Sequence, residues 1–185
     1  MATGYDRTPS VSELVDPAGG PGIAERRATA YVLATLRLVV GFTFLWAFLD
    51  KLFGWGFATP SERSWLNGGS PTKGFLSGAE GPFRGFWTAI AGDAWTNWAF
   101  MLGLAAIGVA LLLGVGMRVA AVAGALMYVM MWAVVLPPPN NPIVDDHILG
   151  ALVVVLLALT HAGDTLGLGR WWKRQPLVRR NPWLI

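Results

Sequence analysis

The stretch WAFMLGLAAIGVALLLGVGM, residues 98–117, contains no charged side chain. An α-helix rises about 1.5 Å per residue, so a run of this length crosses the roughly 30 Å of hydrocarbon in a bilayer. A strand of a membrane barrel would alternate in polarity over about 10 residues, whereas this run is continuous and rich in Leu, Ala and Gly. The stretch therefore predicts a transmembrane helix.

Three more apolar runs have a similar length: residues 28–49, 119–136 and 143–162. The first carries one charge, Arg37, the second carries none, and the charged groups of the third lie at its ends. Of the 185 residues, 54% are hydrophobic and 14% are charged, a balance typical of membrane proteins. We expect an all-α membrane protein, a four-transmembrane-helix bundle formed by residues 26–172. Residues 1–25 are expected to be a disordered cytoplasmic tail and residues 173–185 a basic cytoplasmic tail.

The basic residues predict the orientation, because they favour the cytoplasmic side. With both termini cytoplasmic, nine lie inside and four outside. The inner ones are Arg7, Arg26, Arg27, Arg118, Arg170, Lys173, Arg174, Arg179 and Arg180, and the outer ones are Lys51, Arg63, Lys73 and Arg84. We therefore expect a multi-pass protein of the plasma (inner) membrane. A basic rim facing anionic membrane lipid accounts for the pI of about 9.7, so no nucleic-acid partner is expected.

The predicted outer segment between the first two helices, residues 54–94, is rich in aromatic residues and is expected to lie on the membrane surface. Within it, NGGSPTKGFLSG, residues 67–78, is typical of a turn and a short helix, with Ser70 as N-cap and Pro71 at the first helical position. The alternative is a glycine-rich anion cradle in which Lys73 supplies the charge. The turn is favoured, because the stretch does not match a Walker loop.

Arg37 lies about 13 Å into the first predicted helix, where an unpaired cation is costly. Either it extends to the inner headgroups, or it faces the bundle and pairs with Asp164 or with an anionic or quinone-carbonyl group. Lys51 follows 14 residues later and falls on nearly the same face. Asp50 points away from that face, at the outer edge, where water is expected to reach it.

The stretch NNPIVDDHILG, residues 140–150, opens the fourth predicted helix. Asp145 is expected to be its N-cap. Asp146 and His147 are not needed for capping and predict a proton-exchange cluster, the alternative being that they serve only the helix start. His161, the other histidine, lies about 21 Å further along. The chain has no cysteine, so we expect neither haem nor a metal site from this chain alone.

Several of these stretches resemble the DoxX/DoxD family of small membrane proteins, which is related to the quinone-linked subunit of thiosulfate:quinone oxidoreductase. They are LRLVVGFTFLWAFLDKLFG around Arg37, GGSPTKGFL, and NPIVDDHILGALVVVLLAL. The resemblance covers residues 28–172. It implies a role in passing electrons from thiosulfate or another sulfur compound to a membrane quinone. It also implies a polar or quinone-side site formed by Arg37, Lys51, Asp146 and His147.

We therefore expect a membrane component of a quinone-linked oxidoreductase, with its pocket near the outer face. Trp46 and Trp132 are predicted to be pocket walls, Arg37 or Lys51 the donor to a quinone carbonyl, and Asp146 and His147 the proton-exchange pair. A partner redox subunit or a homo-oligomer is expected. The alternative is a structural or assembly subunit without chemistry, because small residues on the second and third helices allow close helix packing.

Overall fold

The computed structural model describes residues 22–185, and within that part of the chain every regular element is helical. The long helices are α1 (Ile23–Phe53), α4 (Ala94–Leu113), α5 (Met117–Val134) and α6 (Asp146–Leu159). The short ones are α2 (Lys73–Ser77), α3 (Arg84–Ala89), α7 (Gly169–Trp172) and α8 (Pro176–Arg180). Single 3₁₀ turns occur at Ser61–Arg63, Trp65–Asn67, Ala162–Asp164 and Pro182–Leu184.

Three helices, α1, α4 and α5, are long and apolar enough to cross a membrane. Large apolar side chains on the outward faces are exposed, among them Val122, Leu152 and Leu159, which are 71%, 64% and 75% exposed. Such a surface is stable in lipid, whereas a soluble protein rarely exposes so much contiguous apolar area. The chain is therefore a membrane protein. The fourth predicted helix is present as α6, but it has only 14 residues.

The first helix is longer than its apolar run, residues 28–49, because polar residues extend it at both ends. The helix α1 begins at Ile23, so residues 23–25 belong to it and not to the predicted tail; the rest of that tail, up to residue 21, lies outside the described residues. Glu25 accepts a hydrogen bond from the Gly22 amide at 2.9 Å, which stabilises this start. The end comes at Gly54, whose φ of 70° favours glycine.

The bundle is ordered α1–α4–α5–α6, since α1 packs on α4, α4 on α5 and α5 on α6. Its core includes Phe44, Met101, Leu111 and Val154. The α1–α4 contact is very close at Gly108, where a Cβ atom would lie 2.7 Å from the Leu45 backbone nitrogen. Small residues on the second apolar run thus serve packing within the chain.

The segment between α1 and α4 folds over one end of the bundle, which we call the cavity end. Asp50 is only 1% exposed and accepts hydrogen bonds from the amides of Phe57 and Ala58, at 3.3 and 3.0 Å. The expectation that water reaches Asp50 was therefore wrong. The segment after α1 covers this carboxylate, and the two amides satisfy it in the buried position.

The GGSPTKG stretch forms a turn and a short helix, but the predicted helix start was wrong by two residues. The helix α2 begins at Lys73, so Pro71 lies before it. The Ser70 and Thr72 hydroxyls donate to the Asn97 side-chain oxygen, at 3.0 and 2.7 Å, and the Thr72 amide donates to it at 3.1 Å. Asn97 thereby anchors this turn to α4.

Residues 173–185 are basic, as predicted, but they fold back on the opposite end of the bundle. The Arg118 amide donates to the Ile185 carbonyl at 2.8 Å, and the Trp172 indole donates to the Leu184 carbonyl at 2.7 Å. Val178 is fully buried. This segment is therefore part of the packed structure.

The close α1–α4 contact makes the Gly108→Ala variant a test of the fold. The added Cβ has to displace the α1 backbone, so we expect a loss of about 1–3 kcal/mol in the free energy of unfolding. The measurement is thermal or denaturant unfolding in mild detergent. Gly85→Ala is the matched control, because a Cβ there meets open space; equal effects of the two changes would contradict the packing described.

Candidate functional site

Arg37 is completely buried, and its hydrogen bonds within residues 22–185 all go to backbone carbonyls. Its Nε donates to Ala162 at 3.2 Å, and its Nη1 donates to Leu111 and to Leu112, the latter at 2.9 Å. Its Nη2 donates to Thr165 at 3.3 Å and to Leu166 at 2.9 Å. One guanidinium on α1 therefore joins the end of α4 to the turn that follows α6.

The predicted pairing of Arg37 with Asp164 is wrong. Asp164 instead binds Lys173, with 2.7 Å between its carboxylate oxygen and the lysine Nζ. Every guanidinium nitrogen of Arg37 already donates to a carbonyl, which satisfies the charge without an anion. These hydrogen bonds explain how a transmembrane helix can hold a buried cation. Arg37 does not line the cavity at the other end of the bundle.

A cavity of about 340 Å³ lies at the cavity end, between the last turn of α1, the two short helices α2 and α3, and the adjoining ends of α4 and α5. Its walls are mainly aromatic and methionine side chains: Phe75, Phe86, Trp87, Trp95, Phe100, Met127, Met130 and Met131. The Trp87 indole donates to the Ala133 carbonyl at 3.3 Å, which holds α3 against α5. Cavities of this size and composition are typical sites for small apolar ligands.

Few polar side chains line this cavity: Lys51, Thr72 and Thr96. Thr72 donates its hydroxyl to Asn97. Thr96 is only 9% exposed, and its hydroxyl has no hydrogen-bond partner in the described part of the chain. Lys51 forms no ion pair with any residue of the 22–185 part of the chain. The neighbouring Asp50 carboxylate binds backbone amides and acts on Lys51 through its charge without a direct contact. The site therefore offers two donors in an otherwise apolar space.

The stretch before α6 forms a different pair from the one predicted. Asp145 is the N-cap, as expected, and accepts from the amides of His147 and Ile148 at 3.1 and 3.4 Å. Its second carboxylate oxygen lies 2.6 Å from His147 Nδ1. Asp146 is exposed in the first turn of α6. The expected Asp146–His147 pair is thus an Asp145–His147 pair, because the capping geometry turns the Asp145 carboxylate toward the imidazole.

The environment of Asp145 lowers its pKa. Burial of the carboxyl acts in the opposite direction and is the largest single effect on the pKa. The hydrogen bond and positive charge of His147, together with the Ile148 and His147 amides, outweigh it. The His147 ring also packs edge-on against Tyr128, with 6.3 Å between ring centroids. The pair lies at the cavity end, outside the cavity lining.

Neither predicted tryptophan wall lines the cavity. Trp46 packs against Trp55 and Phe57 on the outer flank of α1, with ring centroids 5.3 and 5.0 Å apart. The Trp132 indole donates to the Ile143 carbonyl at 2.6 Å and so positions the chain before α6. Of the six predicted site residues, Lys51 alone is brought to the cavity.

The residues that sequence reasoning missed lie at the start of α4 and in the segment before it. Thr96 and Asn97 fall between the predicted outer segment, residues 54–94, and the second apolar run, which starts at residue 98, so neither prediction includes them. The adjacent polar pair in AWTNWAF was the available signal, because polar side chains in the first turn of an apolar helix require partners. Phe86 and Trp87 carried no such signal, since their place depends on how the segment folds back.

Searches of protein-family models, curated proteins and solved structures found no match to this chain. The resemblance to the DoxX/DoxD family therefore stays a prediction.

The buried guanidinium makes Arg37→Ala strongly destabilising. The change leaves five carbonyls at a helix end and a turn without their donor, so we expect a loss of more than about 3 kcal/mol in the free energy of unfolding. Arg37→Lys should recover only part of it, because an ammonium cannot reach all five acceptors. Unfolding in mild detergent is the measurement. Arg27→Ala, at an exposed site on the same helix, is the control and should behave as wild type.

The lowered pKa of Asp145 predicts a pH-dependent contribution to stability. This contribution is fully present above the carboxyl pKa of the unfolded chain, ordinarily 3.8, and is lost as the pH falls through the lower pKa of the folded protein. At pH 6 we expect Asp145→Asn to lower the free energy of unfolding by about 0.5–1 kcal/mol. The difference from wild type should shrink below about pH 4. Asp146→Asn is the matched control; an effect as large as that of Asp145→Asn would contradict the assigned pair.

Proposed function

We propose that the chain is the quinone-binding membrane component of an oxidoreductase, the role that its resemblance to the DoxX/DoxD family implies. The observation that carries the proposal is the apolar cavity at the cavity end, with its aromatic and methionine walls. A volume of about 340 Å³ is close to the lower limit of ligand sites and suits a quinone ring with the first part of its tail.

The position of the cavity favours a lipid-soluble ligand. Three lining residues, Phe86, Trp95 and Met130, are 59%, 60% and 41% exposed, so the cavity opens at the surface of the bundle. Met130 lies on α5, a helix long and apolar enough to cross the membrane. A quinone dissolved in the bilayer would reach the cavity sideways from the lipid, while its tail stays among the acyl chains.

The polar groups of the site suit a quinone head. A bound quinone supplies the capacity to accept electrons and protons. Lys51 and Thr96 would hold a carbonyl oxygen of the ring by donating hydrogen bonds, while Trp87 and Phe100 would exclude water from it. The Asp145–His147 pair lies at the same end of the bundle but outside the lining, so its proposed part is proton exchange with the aqueous phase. Asp146 is proposed only to complement the α6 dipole.

The membrane arrangement belongs to the same proposal. The helix α6, about 21 Å long, would complete a fourth span together with the chain at its two ends. Both termini would be cytoplasmic, because most basic residues lie at the end of the bundle opposite the cavity. The cavity would then face the outer side of the plasma membrane. Since the chain has no cysteine, electrons would come from a partner redox subunit or a soluble donor such as thiosulfate.

A binding experiment tests the proposal. Protein in nanodiscs is titrated with a short-tail benzoquinone, and tryptophan fluorescence is followed, because Trp87 and Trp95 line the cavity. We expect saturable quenching with one site per chain. Ala99→Phe should weaken binding at least tenfold, because Ala99 lines the cavity and the added ring would occupy its space.

The matched control is Ala106→Phe, which adds the same ring at an exposed position of α4 outside the cavity. It should bind as wild type does. Absence of saturable quenching in wild type, or equal effects of the two phenylalanine variants, would overturn the quinone proposal. If wild type bound no quinone but copurified with a larger redox complex, the structural or assembly alternative would replace the quinone proposal.

A further inference from the structure

The Thr96 hydroxyl differs from those of three other threonines, two inside helices and one at the C-cap of α6. Thr43, Thr88 and Thr160 each donate to the carbonyl four residues earlier, at 3.0, 2.9 and 2.7 Å. This is the usual way for a helical hydroxyl to satisfy itself. Gly92, four residues before Thr96, lies ahead of Asp93, the N-cap of α4, so its carbonyl is outside the helix. The buried Thr96 hydroxyl has no hydrogen-bond partner among residues 22–185.

Lys51 contributes the second uncommitted donor of the same cavity. It is half-buried in the last turn of α1. The Asp50 carboxylate, its nearest acid along the chain, holds the amides of Phe57 and Ala58. The ammonium thus has no ion pair in the described part of the chain. A cation at an apolar cavity is costly unless an acceptor satisfies it.

The Lys51 ammonium can only donate hydrogen bonds and the Thr96 hydroxyl can donate one, so a ligand oxygen that accepts from both suits the pair. The remaining polar side chain of the lining, Thr72, already donates to Asn97. We infer that Lys51 and Thr96 form a head-group subsite for an oxygen acceptor carried on an apolar body. This inference rests on the proposed function in one respect: a quinone carbonyl is one source of such an oxygen. The carboxylate of a fatty acid is the other.

The subsite also explains a cost to the empty protein. A buried hydroxyl without a partner destabilises the fold, whereas an isosteric methyl group does not. Thr96→Val should therefore raise the unfolding temperature of the ligand-free protein while it weakens ligand binding. A threonine with a purely structural role would lose stability on this change. The opposite signs of the two effects are the signature of a binding group.

The experiment measures binding and stability in the same nanodisc samples. A short-tail benzoquinone and laurate are titrated separately into wild type, Thr96→Val, Thr96→Ser and Lys51→Met, using calorimetry and unfolding temperature. We expect Thr96→Val to weaken binding about 3- to 10-fold and Lys51→Met about 10- to 100-fold, in line with neutral and charge-assisted hydrogen bonds. Thr96→Ser keeps the donor and should bind within about twofold of wild type.

The controls remove the same groups elsewhere. Thr43→Val removes a hydroxyl that is satisfied within its helix, and Lys73→Met removes an exposed cation outside the cavity lining. Both should bind as wild type does. Their behaviour separates loss of the subsite from a general effect of lost polarity or charge.

The possible outcomes separate this inference from the quinone proposal. If wild type binds benzoquinone and both Thr96→Val and Lys51→Met bind it equally well, the subsite is refuted while the quinone proposal stands. If wild type binds laurate alone, and the two variants weaken that binding, the subsite stands and the quinone proposal fails. If neither compound binds to wild type, both are overturned.

Discussion

The guanidinium of Arg37 lies where α1, the end of α4 and the turn after α6 meet, and its hydrogen bonds to five carbonyls join these three parts of the chain. The last carbonyls of a helix lack partners within the helix, and in an apolar environment they need a donor. One buried cation meets this need for α4 and for an irregular turn together. The small residues Gly114 and Gly167 leave room for it, because a Cβ at either would come within 3.3 and 3.0 Å of a guanidinium nitrogen. The bundle is thus closed by polar contacts at this end.

At the cavity end, polar side chains hold the backbone in place around an apolar space, and not every polar group there has a partner. Asp50 and Asn97 hold the backbone of the segment between α1 and α4, and Trp87 ties that segment to α5. Both carboxylate oxygens of Asp50 and the side-chain oxygen of Asn97 accept hydrogen bonds from this segment. Thr96 is left without a partner among the described residues in an apolar cavity, which is unfavourable for the empty protein, and the half-buried Lys51 forms no ion pair there. Polar groups without a structural partner are characteristic of ligand-binding sites. Arg37 donates to five carbonyls and has a structural role, whereas Lys51 forms no ion pair in the described part of the chain.

Much of the bundle was predictable from hydropathy alone, but little of the site was. The long apolar runs predicted α1, α4 and α5 to within a few residues, and the Asp145 cap followed from its place before α6. Arg37 was recognised as unusual, yet its partners are backbone carbonyls, which every residue possesses, so no sequence pattern could identify them. Trp46 and Trp132 were misplaced because aromatic composition does not reveal which side of a helix faces a cavity. Thr96 was missed because whether a hydroxyl in the first turn of a helix finds a partner depends on how the preceding segment folds.

The amino-acid sequence by itself determined that the chain is a helical membrane protein, because continuous apolar runs are stable across a bilayer only as helices. It also determined where charge is absent, and so which segments can lie in lipid. Tertiary structure alone decided which polar groups satisfy one another. Hydrogen bonding depends on distances of about 3 Å between residues far apart in sequence. The turn at residues 70–72, the short helix α3 and the end of α1 come together only on folding. The cavity that Lys51 and Thr96 line is formed by this contact.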